Sequence, residues 1–363
     1  MTKKTVLVAG ATGLVGYAVT KHFASIPDCA VIAVSRRRPD ETFGATFVPA
    51  DLDDREACDR IFGAMGHVTH VVYAALYETP QLVAGWCEAE QIARNDRMLR
   101  NLMDPLLDAA KGLRHVSLLQ GTKAYGVHVR PMRIPAREGR SEARDVPNFY
   151  WNQEDYVRAR QRGQSWAFSI FRPVLIAGYS TGSAMNVIPA IGVYGALLKA
   201  DGEPLHFPGG PERMAQAIDA DLLARAIAWG GDAEGARNEA FNVANGDVFT
   251  WRNVWPAIAD ALGMQPGGDK PMSLENAIAP RRADWTAIVA RDRLIEPDLK
   301  KLVGLSFEYA DFQMGYGRPL PGAPAFSSTI KLMQAGFTEV IDTEVMFTNA
   351  IRAFQRKRLL PPR

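Results

Sequence analysis

An apolar, β-branched run at residues 5–9 (TVLVA) passes directly into Gly10, Ala11, Thr12, Gly13, Leu14, Val15 and Gly16, then into a helix-like stretch at 17–24. Strand, glycine turn and helix in that order narrow the possible folds sharply. Such glycines permit a tight turn and close backbone approach, and the first N–H groups of the helix point at an anion such as a pyrophosphate. A second apolar run at 30–34 ends in Ser35, Arg36, Arg37 and Arg38. About twenty residues past the glycines an Asp or Glu usually meets the ribose 2′-hydroxyl of NAD. Guanidinium groups suit a 2′-phosphate instead, through charge-assisted and often bidentate hydrogen bonds. Each half has a plain alternative, a structural turn and a solvated basic face. Together, each at the carboxyl end of a predicted strand, they predict NADP(H) binding. Gly10, Thr12, Gly13, Leu14, Val15 and Gly16 would form the cofactor turn, with Ser35, Arg36 and Arg37 at the 2′-phosphate.

The chain has 363 residues, enough for one large or two unequal domains. Its hydrophobic content of 47% and charged content of 23% are those of an ordinary globular protein. A net charge of +2 gives no case for nucleic acid or a membrane surface. Lys3 and Lys4 before an apolar stretch superficially resemble a secretory leader. The glycine turn that follows, and the lack of a small-residue cleavage site, favour the strand. No apolar run is long enough for a transmembrane helix. Cys29, Cys58 and Cys87 are widely spaced and odd in number, which fits a reducing compartment, so a cytoplasmic location is expected.

Through the first half, strand-like and helix-like segments alternate, the pattern of a parallel sheet covered on both faces. Strands are predicted at 5–9, 30–34, 45–48, 70–74, 115–119 and 167–172, and helices at 55–65, 89–110 and 149–162. Asp51 to Asp54 follow the third strand, where adenine contacts from Asp51 and Leu52 are expected. Residues 179–213 are rich in Gly, Pro and Met, and residues 239–243 (EAFNV) read as a return to the sheet. The predicted fold class is α/β: a Rossmann-type doubly wound parallel sheet with a smaller, mostly helical substrate-binding lobe closing over the nicotinamide. The cofactor domain would span 1–178, its sheet completed by 214–250, with 179–213 and 251–363 forming the lobe.

Reductases of this architecture commonly carry Tyr and Lys four residues apart on one helix turn. That spacing is missing here. Glu154 stands four beyond Tyr150, and Val129 four beyond Tyr125. The obvious alternative lysine is Lys123, just past the strand at 115–119, at the carboxyl end where α/β folds bind ligands. Tyr150 sits in the aromatic cluster Phe149-Tyr150-Trp151 that opens a predicted helix. The plain reading makes these aromatics packing residues and Lys123 a surface loop lysine.

The chain resembles the progesterone 5β-reductase and iridoid synthase-like (PRISE) family of atypical extended short-chain dehydrogenases/reductases. The resemblance runs through GATGLVG, AVSRR, VTHVVYA, HVSLLQGTKAYG, NFYWNQED, FRPVLIAGYS and NEAFNVANGDVFTWRNVW, so it covers most of the sequence. It implies a catalytic pair of Lys123, from the G-x-K element, and Tyr150, from the NFY element. It also implies Arg36 and Arg37 at the 2′-phosphate, and Ala74, Ala75, Pro173 and Ile176 along the nicotinamide half. Leu76, Phe149 and Met185 are assigned to the substrate wall. Trp151 replaces the family's usual second tyrosine, Ala124 stands where a histidine is common, and Leu76 where a tryptophan is usual. The segment between Lys123 and Tyr150 is also shorter. These departures fall near the substrate side, so they weaken any transfer of a steroid or monoterpenoid substrate.

The chemistry so implied is NADPH-dependent 1,4-reduction of an enone or enal, an oxidoreductase acting on a CH–CH bond. Hydride reaches the β-carbon, and the enolate oxygen is stabilised by Tyr150 and Lys123. The expected partner is therefore a small-molecule enone or enal; the sequence leaves a homodimer open. The alternatives are a 1,2-carbonyl reductase, a nucleotide-sugar epimerase or a non-catalytic NADP(H)-sensing protein. Epimerases normally need the helical Tyr–Lys pair, and the presence of both Lys123 and Tyr150 favours an enzyme over a sensor. Gly178-Tyr179-Ser180-Thr181-Gly182 matches a hydrolase nucleophile elbow. The only downstream histidine, His206, falls in a Pro/Gly-rich loop rather than after a late strand. His67 and His70 are three apart without a placed third ligand, so no metal site is expected.

Overall fold

The computed structural model describes residues 4–80 and 82–363. Lys3 lies outside the described residues. Two compact units make up the chain: residues 1–174, 221–243 and 327–339 form the first, and 175–220, 244–326 and 340–363 the second.

The first unit is built on a seven-stranded, wholly parallel sheet. Its first strands are β1 (Lys4–Ala9), β2 (Cys29–Ser35) and β3 (Thr46–Pro49), and β1 is followed by helix α1 (Leu14–Ala24). Next come α2 (Arg55–Phe62), β4 (His70–Tyr73), the short α3 (Leu82–Gly85) and the long α4 (Ala89–Ala109). After β5 (His115–Leu119), α5 (Phe149–Gln161) and β6 (Ala167–Pro173), the chain returns with strand Glu239–Val243. The spatial order is Glu239–Val243, β6, β5, β4, β1, β2, β3. Strand order therefore reverses at β1, where β4 takes one side and β2 the other, the crevice in which open α/β sheets bind ligands. The Rossmann-like, parallel α/β class expected from the alternating pattern is the class observed.

Local sequence explains most boundaries. The central strands β1, β4 and β6 are buried on both faces, hence their nearly unbroken apolar runs. Asp54 caps α2 by accepting from the Ala57 N–H at 3.0 Å, and Asn148 caps α5 by accepting from the Tyr150 N–H at 3.0 Å. Helix α1 starts at Leu14, three residues before the expected position, because Gly16 already belongs to its first turn.

The second unit is mostly helical. Helices Val187–Ala200, Trp251–Ala261, Arg282–Asp292, Ser306–Met314 and Thr343–Arg356 dominate it, with three two-stranded ribbons. Residues 179–213, read as a Gly-, Pro- and Met-rich stretch, contain one of these helices. Residues 327–339, expected in the substrate lobe, pack on the first unit instead. Ser327 bridges to Ala136, and the Lys331 ammonium bonds Glu239 at 2.6 Å and the Ala240 carbonyl at 2.9 Å. No helix among the described residues is long and apolar enough to cross a membrane.

Candidate active site

The glycine turn lies at the strand-order reversal. Gly10 has φ +84°, a left-handed conformation that disfavours side chains. A Cβ on Gly10 would stand 2.6 Å from the Ala74 carbonyl oxygen, and one on Gly16 2.1 Å from that of Gly10. The turn is closed by Gly10 and Ala11 N–H groups donating to Val34 O at 2.9 and 3.1 Å, and by Gly13 N–H donating to Gly10 O at 2.9 Å. Gly13 caps α1 without any side-chain hydrogen bond. The first turn of the helix thus presents N–H groups that no side chain covers, beside backbone packed too closely for a Cβ. A dinucleotide pyrophosphate fits such a cradle.

Ser35 ends β2 and its hydroxyl donates to the Arg37 carbonyl at 2.7 Å, which turns the chain. Arg36 and Arg37 are exposed, and among the described residues no ion pair engages either. Asp51 is exposed past β3, while Leu52 is buried and its carbonyl accepts from the Asn101 amide at 2.8 Å. Ala74 and Ala75 follow β4, with the Ala74 N–H donating to Ala9 O at 3.0 Å. Leu76 is 38% exposed. Pro173 ends β6. Ile176 and Met185 belong to the second unit.

Lys123 and Tyr150 come together within the first unit. Lys123 lies on a one-turn 3₁₀ segment, Thr122–Tyr125, immediately after β5. Tyr150 lies in the first turn of α5, its ring edge-on to Phe149 at 4.7 Å. A Cβ on Gly121 would stand 3.3 Å from the Tyr150 hydroxyl oxygen and 3.5 Å from the Pro173 carbonyl, so the hydroxyl sits at the carboxyl ends of β5 and β6. The Lys123 ammonium is 5.9 Å from the Tyr150 ring centroid. Lys123 is only 8% exposed, so the plain reading of a surface loop lysine is incorrect.

Sequence reasoning missed what surrounds that ammonium. The Trp86 ring centroid is 4.3 Å from it and a Glu78 carboxylate oxygen 3.7 Å, too long for a hydrogen bond but an ion pair. His128 packs edge-on against Trp86 at 6.3 Å. Burial pulls the Lys123 ammonium below its ordinary pKa, and Glu78 opposes that shift. Burial likewise pushes the Glu78 carboxyl up, against the pull of Lys123 and of Gln91. An acid three residues past the alanines after β4 and a histidine five past Lys123 were the available signals, but no periodicity links them.

The missing helical lysine has a structural explanation. At that position Glu154 is buried, and Arg172 beside it is 1% exposed. Arg172 donates to Gln120 Oε1 at 2.7 Å, Glu142 Oε1 at 2.6 Å, Glu154 Oε2 at 3.3 Å and the Tyr125 hydroxyl at 3.2 Å. Arg158 donates to Glu154 at 2.9 Å. Burial pushes the Glu154 carboxyl up, but Gln120, Arg172 and Arg158 outweigh it and hold its pKa below the usual value. One turn past Tyr150, then, the helix faces a guanidinium. Trp151 is a packing residue, its indole N–H donating to Val146 O at 3.2 Å.

The decoys resolve plainly. Ser180 is 2% exposed and meets the Asn186 amide at 3.4 Å, while His206 bonds Gly268 O and Glu203 instead. His67 is exposed and His70 bonds the Thr69 hydroxyl at 2.8 Å. Among the described residues no group of three His, Cys, Asp or Glu side chains could hold a metal ion.

A glycine cradle at the reversal of a parallel sheet, with a buried lysine and tyrosine at the neighbouring strand ends, defines a nicotinamide-dinucleotide oxidoreductase of the short-chain dehydrogenase/reductase class. Residues 54–296 match the PRISE-like Rossmann-fold domain, and the chain belongs to that family. It is 31% identical to 3-oxo-Delta(4,5)-steroid 5-beta-reductase of Arabidopsis thaliana, over 85% of this chain and 82% of the relative. It is 29% identical to (S)-8-oxocitronellyl enol synthase of Antirrhinum majus, over 98% of this chain and 92% of the relative. Among solved structures it is similar in fold to UDP-glucose 4-epimerase of Thermotoga maritima, with TM-score 0.65 and 17% identity, over 97% of this chain and 99% of that one. A short-chain dehydrogenase/reductase superfamily protein of Agrobacterium tumefaciens with bound NAD gives TM-score 0.63 at 17% identity, over 98% of both chains.

Proposed function

We propose that the protein is an NADPH-dependent reductase of α,β-unsaturated carbonyl compounds that performs 1,4-reduction of an enone or enal. The observation that carries this reading is the buried Lys123 ammonium beside Tyr150 at the carboxyl ends of the central strands, combined with Glu154 at the position of the usual helical lysine. When bound, the dinucleotide supplies the hydride. Gly10, Thr12, Gly13, Leu14, Val15 and Gly16 hold its pyrophosphate, and Arg36 and Arg37, exposed and engaged in no ion pair among the described residues, meet the 2′-phosphate. Ser35 shapes that corner, and Asp51 and Leu52 flank the adenine. Ala74, Ala75, Pro173 and Ile176 line the nicotinamide half, and Leu76, Phe149 and Met185 the substrate. Ile176 enters on family resemblance alone.

Reduction at the β-carbon leaves negative charge on the carbonyl oxygen. Tyr150 donates to that oxygen, and the Lys123 charge stabilises it. The α-carbon then takes a proton from solvent water to give the saturated carbonyl. Such a site needs a donor aimed at the developing oxyanion more than a complete proton relay. Kinship with relatives named for a steroid 5-beta-reductase and an enol synthase supports this substrate class.

Incubation with NADPH and a panel of enones, enals and plain ketones tests the reading. Loss of the conjugated-alkene absorbance with formation of saturated carbonyl is the expected result. Products that are only alcohols would replace it with 1,2-reduction, and NADPH binding without any turnover would favour a sensing protein. Tyr150→Phe should lower kcat by about 10²–10³ with NADPH binding intact.

A further inference from the structure

Glu78 stands on the segment that leaves β4, and its side chain is 7% exposed against 10% for Lys123. One carboxylate oxygen accepts from the Gln91 amide at 2.6 Å. The other, 3.7 Å from the Lys123 ammonium, accepts no hydrogen bond among the described residues, and the ammonium likewise donates none. A buried ammonium without a countercharge gives up its proton, because desolvation disfavours the charged form. The groups facing Lys123 from the surrounding elements leave only one countercharge. Trp86 and Tyr150 offer rings, from α3's end and from α5. Gln91, from α4, offers a neutral amide. His128, past the 3₁₀ turn, is pushed down to about 4, by burial first and then by Lys123, so it is neutral at working pH. Cys87 acts on Lys123 more weakly than Glu78 does, and its side chain is exposed. Among the described residues Glu78 is the one carboxylate acting on Lys123.

We propose that Glu78 is a positioning residue whose carboxylate supplies the countercharge that holds the Lys123 ammonium beside Tyr150, ready for the oxyanion of the substrate. The proposal rests on the reading of Lys123 and Tyr150 as the catalytic pair. The 3.7 Å gap suits this role. An ammonium has three donors, and a tight hydrogen-bonded pair would commit one of them to Glu78. Here the charge is held while the donors stay available for an incoming oxygen. Gln91 anchors the other carboxylate oxygen at 2.6 Å.

The test uses the full chain labelled with 13C at the lysine Cε, with the Lys123 resonance assigned by its loss in Lys123→Arg. In Glu78→Gln the Lys123 titration midpoint should fall by about 1–3 pH, a ten- to thousandfold loss of proton affinity, as expected when an opposite charge at such a distance is removed. The alkaline limb of kcat/KM with an enone or enal should move down with it. Glu78→Asp keeps the charge, so it should restore much of both values and it carries the test if Glu78→Gln fails to fold. An unchanged Lys123 midpoint in Glu78→Gln overturns the proposal, as does a shifted midpoint with an unmoved alkaline limb. If the wild-type chain reduces no enone or enal, the proposed function fails. The lysine titration then still reports whether Glu78 holds the charge, so the two failures are distinguishable.

Discussion

Glu154→Lys writes a lysine four residues beyond Tyr150, the spacing of a helical tyrosine–lysine pair, and so sets pattern against packing. By pattern the variant gains a second catalytic lysine. By packing it loses stability. The Glu154 carboxylate is 4% exposed and lies within 2.9 Å of Arg158, 3.2 Å of Arg144 and 3.3 Å of Arg172. An ammonium there replaces one buried countercharge with a fourth positive charge. Removing one partner of a buried ion pair costs about 3–5 kcal/mol. Arg172 keeps Glu142 at 2.6 Å, which favours the lower end of that range. The Arg144 and Arg158 pairs are half-exposed and add at most about 1 kcal/mol each. A loss of about 3–5 kcal/mol is large against the 5–15 kcal/mol typical of folded domains. For a unit of this size it corresponds to a melting temperature lower by roughly 6–20 °C, at about 2–4 °C per kcal/mol.

Thermal melts followed by circular dichroism measure that loss, with Glu154→Gln as the control. The control keeps the volume and an acceptor oxygen, so its drop should be smaller. The catalytic half of the argument is read from the Lys123→Ala, Glu154→Lys double variant. Because the new ammonium would stand among the Arg144, Arg158 and Arg172 guanidiniums, the double variant should be as inactive as Lys123→Ala alone. A Glu154→Lys protein that melts with wild type, or a double variant that regains turnover, would refute the reasoning about this helix face.

Gly16→Ala should abolish dinucleotide binding, since its Cβ would stand 2.1 Å from the Gly10 carbonyl and 3.0 Å from the Ala11 Cα; NADPH fluorescence titration reads the result, and wild-type affinity would count against the cradle. Arg36→Ala and Arg37→Ala together should weaken NADPH by roughly 10–150-fold, the equivalent of about 1.5–3 kcal/mol for one hydrogen bond to a charged group, while NADH binding stays unchanged. Equal losses for both nucleotides would remove the 2′-phosphate assignment. Acid should destabilise the first unit early. Burial, with Lys4 next, pushes His70 down to about 4, and burial pushes His115 down to about 3. Both are neutral when folded, so their contribution is complete above the unfolded value of 6.5 and is lost as pH falls toward 4. For His70 the loss is on the order of 3 kcal/mol across that window. Denaturant unfolding between pH 7 and pH 4 measures it, and replacing both histidines by Asn should flatten the slope.

The architecture was legible where period and turn chemistry agree. Strand Glu239–Val243, far from the alternating half, was readable as a short segment carrying the aromatic Phe241 and the β-branched Val243 that ends before a turn. Helix Val187–Ala200 was not. From Val187 to Leu198 every residue is buried, so the amphipathic period that marks a surface helix is absent. Its cap is Asn186, whose side chain accepts from the Ile188 N–H at 3.2 Å. Residues 327–339 joined the other unit for a reason that linear order hides. A salt bridge from Lys331 to Glu239 and a bridge from Ser327 to Ala136 outweigh chain proximity.

The same contrast governs the site. The proposed cofactor contacts could be assigned because a glycine turn, a helix start and a strand end are consecutive in the chain. Lys123 and Tyr150 were reached by placing each at a strand or helix end and by family resemblance. Glu78, Trp86 and His128 stand on three irregular segments and converge on Lys123 only in three dimensions, so no spacing could have joined them. Arg172 is the instructive case between these extremes. It sits in AFSIFRP, a strand buried at every position, where a charged side chain requires a countercharge. Glu142 and Glu154 meet that requirement, and Glu154 is also the residue standing where a lysine is expected. Taken together, the misplaced arginine and the misplaced glutamate predict each other. Two local anomalies of opposite charge in one domain are a contact to be tested, and in this chain that contact explains why Glu154, and no lysine, stands four residues beyond Tyr150.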